Sequence, residues 1–239
     1  MIPLRDDNPT TIVPVVTVGL IALNVIIFLY QLVLSPDAGQ LFIYQYGSIP
    51  AVMFGERQLP PEIGAVAPSL SLLTSMFLHG GLMHLLGNML YLWIFGNNIE
   101  DAMGHLRFLI FYLATGVLAA LMHGLTDPGS AIPTIGASGA ISGVLGAYLL
   151  LYPRAQVMML VFLGFFIRVL YVPAGWVLGL WFLMQLLSGE FSSGQGGGVA
   201  WWAHIGGFLA GMLLVGLFKR REVRFFNPPH YHPARLGEW

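Results

Sequence analysis

The stretch Gly136-Ala137-Ser138-Gly139-Ala140-Ile141-Ser142-Gly143 opens an apolar run that ends near Tyr152. Small residues build its first two turns. On a helix, Gly139, Gly143 and Gly146 fall at i, i+4 and i+7 and form one smooth stripe, which lets another helix backbone approach closely. Ser138 stands beside that stripe at the N-terminal end, where unpaired backbone N–H groups can stabilise a developing negative charge. Alone, the stretch reads as a packing motif. It becomes a catalytic one only if other parts of the chain bring a base and an oxyanion hole to Ser138.

Composition fixes the solvent. Of 239 residues, 56% are hydrophobic and 9% are charged, against about 25% charged in soluble domains. With a mean hydropathy of +0.76, the chain is a polytopic membrane protein whose medium is the lipid bilayer. A net charge of −1 gives no hint of nucleic acid as a partner. The absence of cysteine excludes disulfides, thiolate metal sites and cysteine nucleophiles. No His-Glu-x-x-His is present for zinc, and no metal or cofactor is expected. The start, Met1-Ile2-Pro3-Leu4-Arg5-Asp6-Asp7, lacks the basic opening of a cleaved signal peptide and is too short and acidic for a transit peptide. The first hydrophobic segment is therefore expected to stay as a membrane anchor.

Six spans are expected, at about 12–34, 81–99, 106–125, 136–152, 173–187 and 200–218. Between the first two, 35–68 mixes Asp37, Glu56, Arg57, Glu62 and Pro60-Pro61 with apolar patches such as Leu41-Phe42-Ile43. That mixture suits a structured loop in the membrane interface. A short apolar stretch, 69–78, leads into His79. Segment 157–172 is apolar but short, with Gly164 in its middle and Arg168 near its end, and fits a hairpin or interfacial re-entrant piece better than a span. A glycine- and serine-rich loop is expected at 188–198, and a polar tail with His230, His232 and Pro233 closes the chain. The expected architecture is all-α: an N-terminal segment 1–11, a six-helix membrane domain 12–218 with an interfacial first loop, and a C-terminal tail 219–239.

With six spans both termini share one side. Nine of the ten basic residues fall there, Arg57 being the exception, and the positive-inside rule makes that side cytoplasmic. The second, fourth and sixth spans then all enter from outside. At 1.5 Å per residue, His84, Asn88, Ser138 and His204 each lie only a few turns below the outer surface. Intramembrane polar residues that converge are a functional signal. His84 and Asn88 are i, i+4 on one face, and His204 shares a face with Gly207, Phe208 and Gly211. Two smooth stripes can bring Ser138 to His204. A serine hydroxyl needs such a base to act as a nucleophile. No Asp or Glu stands at that depth to orient the histidine, so a dyad is the economical reading. Singly, each residue also has a packing role: Asn88 and Ser142 as interhelical glue, His79 as a loop cap, His123 and His105 as structural groups. A Ser, two His and an Asn at one depth on three parallel helices are hard to explain by packing alone.

The segments His79–Asn88, Gly136-Ala137-Ser138-Gly139 and Ala203-His204-Ile205-Gly206-Gly207 resemble the signature of rhomboid intramembrane serine proteases. The spacing Gly96, Glu100, Gly104, Phe108, Tyr112 is similar to that family at its second cytoplasmic turn. The resemblance implies Ser138 as nucleophile and His204 as general base. It implies an oxyanion hole from His84, Asn88 and the Ser138 backbone N–H, with His79, Gly136 and Gly139 in support. The span with Trp176, Trp181 and Phe182 would be the lateral substrate gate. The first loop lacks the Trp-Arg pair of some members, and Ser142 stands where some carry an aromatic residue under the histidine, so stacking there is expected to be absent. The activity implied is cleavage of single-span membrane proteins in or near their transmembrane segments. Compact length and the absence of targeting signals point to the plasma membrane of a prokaryote. A catalytically silent relative that binds transmembrane segments is the alternative. A transporter would need acidic ion sites mid-membrane, and an aspartyl protease a pair of membrane Asp residues; neither is present. Oligomeric state is not legible.

Overall fold

The computed structural model of the chain describes residues 2–164, 166–192 and 199–228. A short strand β1 (Ile2–Asp6) precedes α1 (Val15–Val33). The first loop carries three short helices, α2 (Pro36–Tyr46), α3 (Pro50–Met53) and α4 (Pro68–Thr74). Helix α5 (Leu82–Tyr91) passes through a π-helical turn, Leu92–Gly96, into α6 (Asn97–Met103). Then follow α7 (His105–Thr126), α8 (Ser138–Leu151), the strands β2 (Gln156–Leu163) and β3 (Phe166–Pro173), α9 (Ala174–Ser192) and α10 (Trp201–Phe218).

Helices α1, α7, α9 and α10 are each long and apolar enough to cross a membrane. The α5–α6 helix meets the same test only together with 61–77, at a bend of 84°. Helix α8 has 14 residues and is about 21 Å long, short of the roughly 30 Å of a hydrocarbon core. Its neighbours carry it: every residue from Gly139 to Tyr148 is buried. Gly139 faces Ala119, seven residues before α7 ends at Thr126. Ser138 therefore starts about 10 Å below the end of α7, and the α7–α8 connection runs back down into the bundle.

A helix lying wholly inside must present small residues wherever a backbone comes near. A Cβ on Gly139 would meet the Ala119 Cβ at 2.7 Å, and one on Gly143 would strike Thr115, so this part of the stripe receives α7. Gly146 receives the Phe208 backbone of α10. From the other side, Gly207 and Gly211 of α10 lie against the carbonyls of Gly139 and Gly143. Lipid is as apolar as these side chains, so close backbone packing rather than hydrophobic exclusion holds α7, α8 and α10 together.

Helix α1 is fastened by a charge from elsewhere. Its own Pro14 supplies no cap. The fully buried Glu100 of α6 accepts from the N–H groups of Val16 (2.9 Å) and Thr17 (2.7 Å), the Thr17 hydroxyl (2.7 Å) and His105 Nδ1 (2.6 Å). A carboxylate placed on orphan N–H groups at a helix start satisfies them and meets the positive end of the dipole. Asp101 takes the Thr11 N–H at 3.0 Å and hydroxyl at 2.5 Å, and the Arg220 guanidinium pairs with the same residue.

The bundle differs from the expected one at its borders. The α5–α6 helix runs on to Met103 instead of ending near 99. Helix α9 continues to Ser192, through the first part of the loop expected at 188–198; 193–198 and the tail from 229 lie outside the described residues. Segment 157–172 is a β-hairpin turning at Gly164, whose φ is +62°. Alternation sets its register: Val157, Met159 and Val161 are buried and Phe162 is half exposed. The hairpin is joined by β1, giving one three-stranded antiparallel sheet in the order β1-β2-β3, an addition that an all-helical reading does not contain. Strand β1 is five residues with a register shift between Pro3 and Arg5, too short and irregular for its alternation to be read.

Candidate active site

The chain reaches α8 through Gly136, at φ +122°, in the region that favours glycine. Its N–H is held by the Ser75 carbonyl at 2.9 Å. A Cβ there would meet the His84 ring at 2.7 Å, so the residue is glycine for both backbone and space. Ser138 is the first residue of α8, and no side chain caps that end. The helix start is left with backbone donors for an incoming group.

Ser138 Oγ lies 2.8 Å from His204 Nε2. The other ring nitrogen, Nδ1, lies 2.8 Å from Gln185 Oε1 of α9. Gln185 Nε2 in turn donates to the Trp181 carbonyl at 3.3 Å. The His204 ring sits between Trp181 and Trp201, with centroids 6.0 and 6.1 Å away. Gly207 and Gly211, one and two turns beyond His204, let α10 lie on the α8 backbone and so set the distance between the two side chains.

His84 approaches from α5. Its Nδ1 accepts from the Gly80 N–H at 3.4 Å, which leaves the proton on Nε2, the ring edge beside Gly136. Asn88, one turn on, spends one amide hydrogen on the His84 carbonyl at 2.9 Å and keeps the other. Both line a cavity of about 1120 Å³ together with Ser138, His204, His123 and Trp181. The cavity extends to Asp127 and Ser130 of the α7–α8 connection. His79 is buried behind it, its ring edge-on to His84 at 5.0 Å. Gln31 of α1 clamps the His79 backbone from both sides, accepting from its N–H at 3.0 Å and donating to its carbonyl at 3.2 Å.

The sequence profile of the Rhomboid domain matches residues 69–221, well over half of the chain and all of these side chains except Gln31. The chain belongs to the rhomboid family. It is 36% identical over 154 residues to Rhomboid protease GluP of Bacillus subtilis, covering 63% of this chain and 28% of that one. It is 31% identical over 172 residues to RHOMBOID-like protein 5 of Arabidopsis thaliana, 68% and 48% of the two chains. To Rhomboid protein 1, mitochondrial, of Saccharomyces cerevisiae it is 30% identical over 188 residues, 72% and 51%. The chain thus spans between about a quarter and a half of the length of these curated relatives.

This rhomboid bundle brings Ser138, His204, His84 and Asn88 to one cavity, with His79 and Gly136 against His84 and Gly139 in the helix packing. Ser142 bonds the Ser138 carbonyl of its own helix at 2.6 Å rather than a neighbouring helix. His123 faces the cavity rather than merely ending its helix. Two partners were not legible. Gln185 is one of several polar residues on α9, with Ser188 and Glu190 close behind it, and Gln31 lies 48 positions from its partner; only the fold brings them to the histidines.

Proposed function

We propose that this rhomboid is an intramembrane serine protease that hydrolyses peptide bonds in or near the transmembrane segments of single-span membrane proteins. The observation that carries it is the 2.8 Å contact between Ser138 Oγ and His204 Nε2 inside a cavity within the bundle. In the reaction, His204 Nε2 takes the hydroxyl proton as Ser138 Oγ attacks the peptide carbonyl, then gives it to the leaving amine. The acyl-enzyme is released when water, activated by the same nitrogen, attacks the ester. The His84 Nε2–H, the uncommitted amide hydrogen of Asn88 and the Ser138 N–H are the donors offered to the oxyanion, where one well-placed donor contributes about 3–4 kcal/mol.

A substrate helix has its carbonyls bonded internally, so it must unwind locally before one can enter the cavity. Small or helix-breaking residues near the cut are expected. The distribution of basic residues supports six spans with both termini in the cytoplasm. The test is cleavage of a model single-span substrate in detergent by wild type and Ser138→Ala. Cleavage lost only in the variant supports the protease; full activity in the variant rejects the assignment. No cleavage by either, with substrate still bound, favours a silent member that captures transmembrane segments.

A further inference from the structure

The reactive pair has a third member. We propose that Gln185 of α9 is the positioning residue that fixes the tautomer and ring plane of His204, an inference that rests on the Ser138–His204 reading above.

The hydrogen-bond inventory allows one arrangement. Gln185 Nε2 donates to the Trp181 carbonyl one turn back on its own helix, so the amide presents Oε1 to the histidine. An amide oxygen only accepts. Nδ1 of His204 must therefore carry the ring proton. A neutral imidazole has one N–H, so Nε2 is left bare, and Nε2 is the atom 2.8 Å from Ser138 Oγ. Reversing the amide would set an N–H against Nδ1, move the ring proton to Nε2 and leave nothing to receive the serine proton. It would also face the Trp181 carbonyl with an oxygen. The chain from Trp181 through Gln185 and His204 to Ser138 is matched donor to acceptor in one direction only.

The residue type suits the medium. Gln185 is 6% exposed, within the bundle. A neutral amide whose two ends are bonded carries little desolvation cost. An amide orients the histidine in some cysteine proteases in the same way. The fold adds a consequence. Ser138 stands on α8, His204 on α10 and Gln185 on α9, so the base is completed from a third helix. Helix α9 is held to α10 by the stacked pair Phe182–Phe208, centroids 4.5 Å apart, and by Trp181–Phe208 at 5.9 Å. Withdrawal of α9 would release the ring to its other tautomer without moving either backbone of the pair.

The test uses the full chain in detergent with a single-span substrate. Gln185→Leu, close in size and without an acceptor, should lower kcat about 10- to 100-fold while KM stays within about twofold. Gln185→Glu, which keeps an acceptor oxygen in place, should recover to within about fivefold of wild type. Gln185→Met replaces the leucine variant if that one misfolds. In parallel, 15N NMR of labelled histidine in a Ser138→Ala background reads the tautomer with no catalysis needed. Nδ1–H should dominate with Gln185 present and give way to a mixture in Gln185→Leu. Wild-type kcat in both apolar variants, or an unchanged His204 tautomer, overturns the role of Gln185 and leaves the dyad standing. Activity surviving Ser138→Ala rejects the protease reading instead, and the NMR comparison still decides the hydrogen bond.

Discussion

Gly211 of α10 lies directly against the Gly143 carbonyl of α8, with no space for a Cβ between them. His204 is seven residues, two turns, before Gly211 on the same helix, and Ser138 five residues before Gly143 on the other. The glycine contact is thus a fulcrum for the distance between Oγ and Nε2. Gly211→Ala should cost about 1–3 kcal/mol of stability by overpacking. It should also lower kcat by widening the dyad, with less effect on KM. Thermal unfolding in detergent and steady-state cleavage check the two effects; Gly216→Ala, nearest to the flexible Phe225 ring at 3.6 Å, is the tolerant control.

Two of the proposed oxyanion donors, His84 and Asn88, stand on α5. Asn88→Ala and His84→Ala should each reduce kcat by about 10²–10³ with little change in KM, because a donor aimed at the developing oxyanion acts in the transition state. His84→Ala also removes the ring that fills the space above Gly136. It should therefore destabilise the α8 start as well, seen as a lower unfolding midpoint that Asn88→Ala does not share.

Glu100 makes no contact with the cavity, yet four donors converge on it. Glu100→Ala leaves buried N–H groups of α1 without an acceptor and should cost about 3–5 kcal/mol, the range for breaking a buried charge network. The expected readout is early loss of α1, as faster proteolysis near its start, before the rest of the bundle unfolds.

Asp6, at the end of β1, is pushed up from the ordinary 3.8 to about 6 by burial, against which the Tyr148 hydroxyl bond at 2.5 Å pulls down. A raised carboxyl value means that the folded state prefers the protonated form. Its contribution is complete below about pH 4 and is lost as pH rises through about 6, up to about 3 kcal/mol in all. Wild type should lose stability relative to Asp6→Asn between pH 4 and pH 7, and the variant should show a flatter profile. Paired thermal melts across that range check the sign; wild type gaining stability on the variant as pH rises contradicts it.

What the sequence revealed was what its periodicity and short motifs encode. The apolar helices, the glycine stripes of α8 and α10, and the hairpin about Gly164 follow from spacing within single segments. The depth of Ser138 was approached from topology, but the reason for it, a 14-residue α8 sunk beside a longer α7, needed the packing. The β1 strand was hidden because five residues with a bulge carry no pattern and its partner lies about 150 positions away. Gln185 was hidden for a different reason: a carboxylate is the usual orienting partner of a histidine, and a single buried amide among the residues of α9 carries no distinguishing spacing.

The most direct test of the Ser138–His204 pair is labelling by a serine-reactive fluorophosphonate in wild type and His204→Ala, with the modified residue mapped by mass spectrometry. An activated serine predicts a label on Ser138 in wild type that falls to background without the histidine. Undiminished labelling of the variant, or a label on another serine, contradicts it.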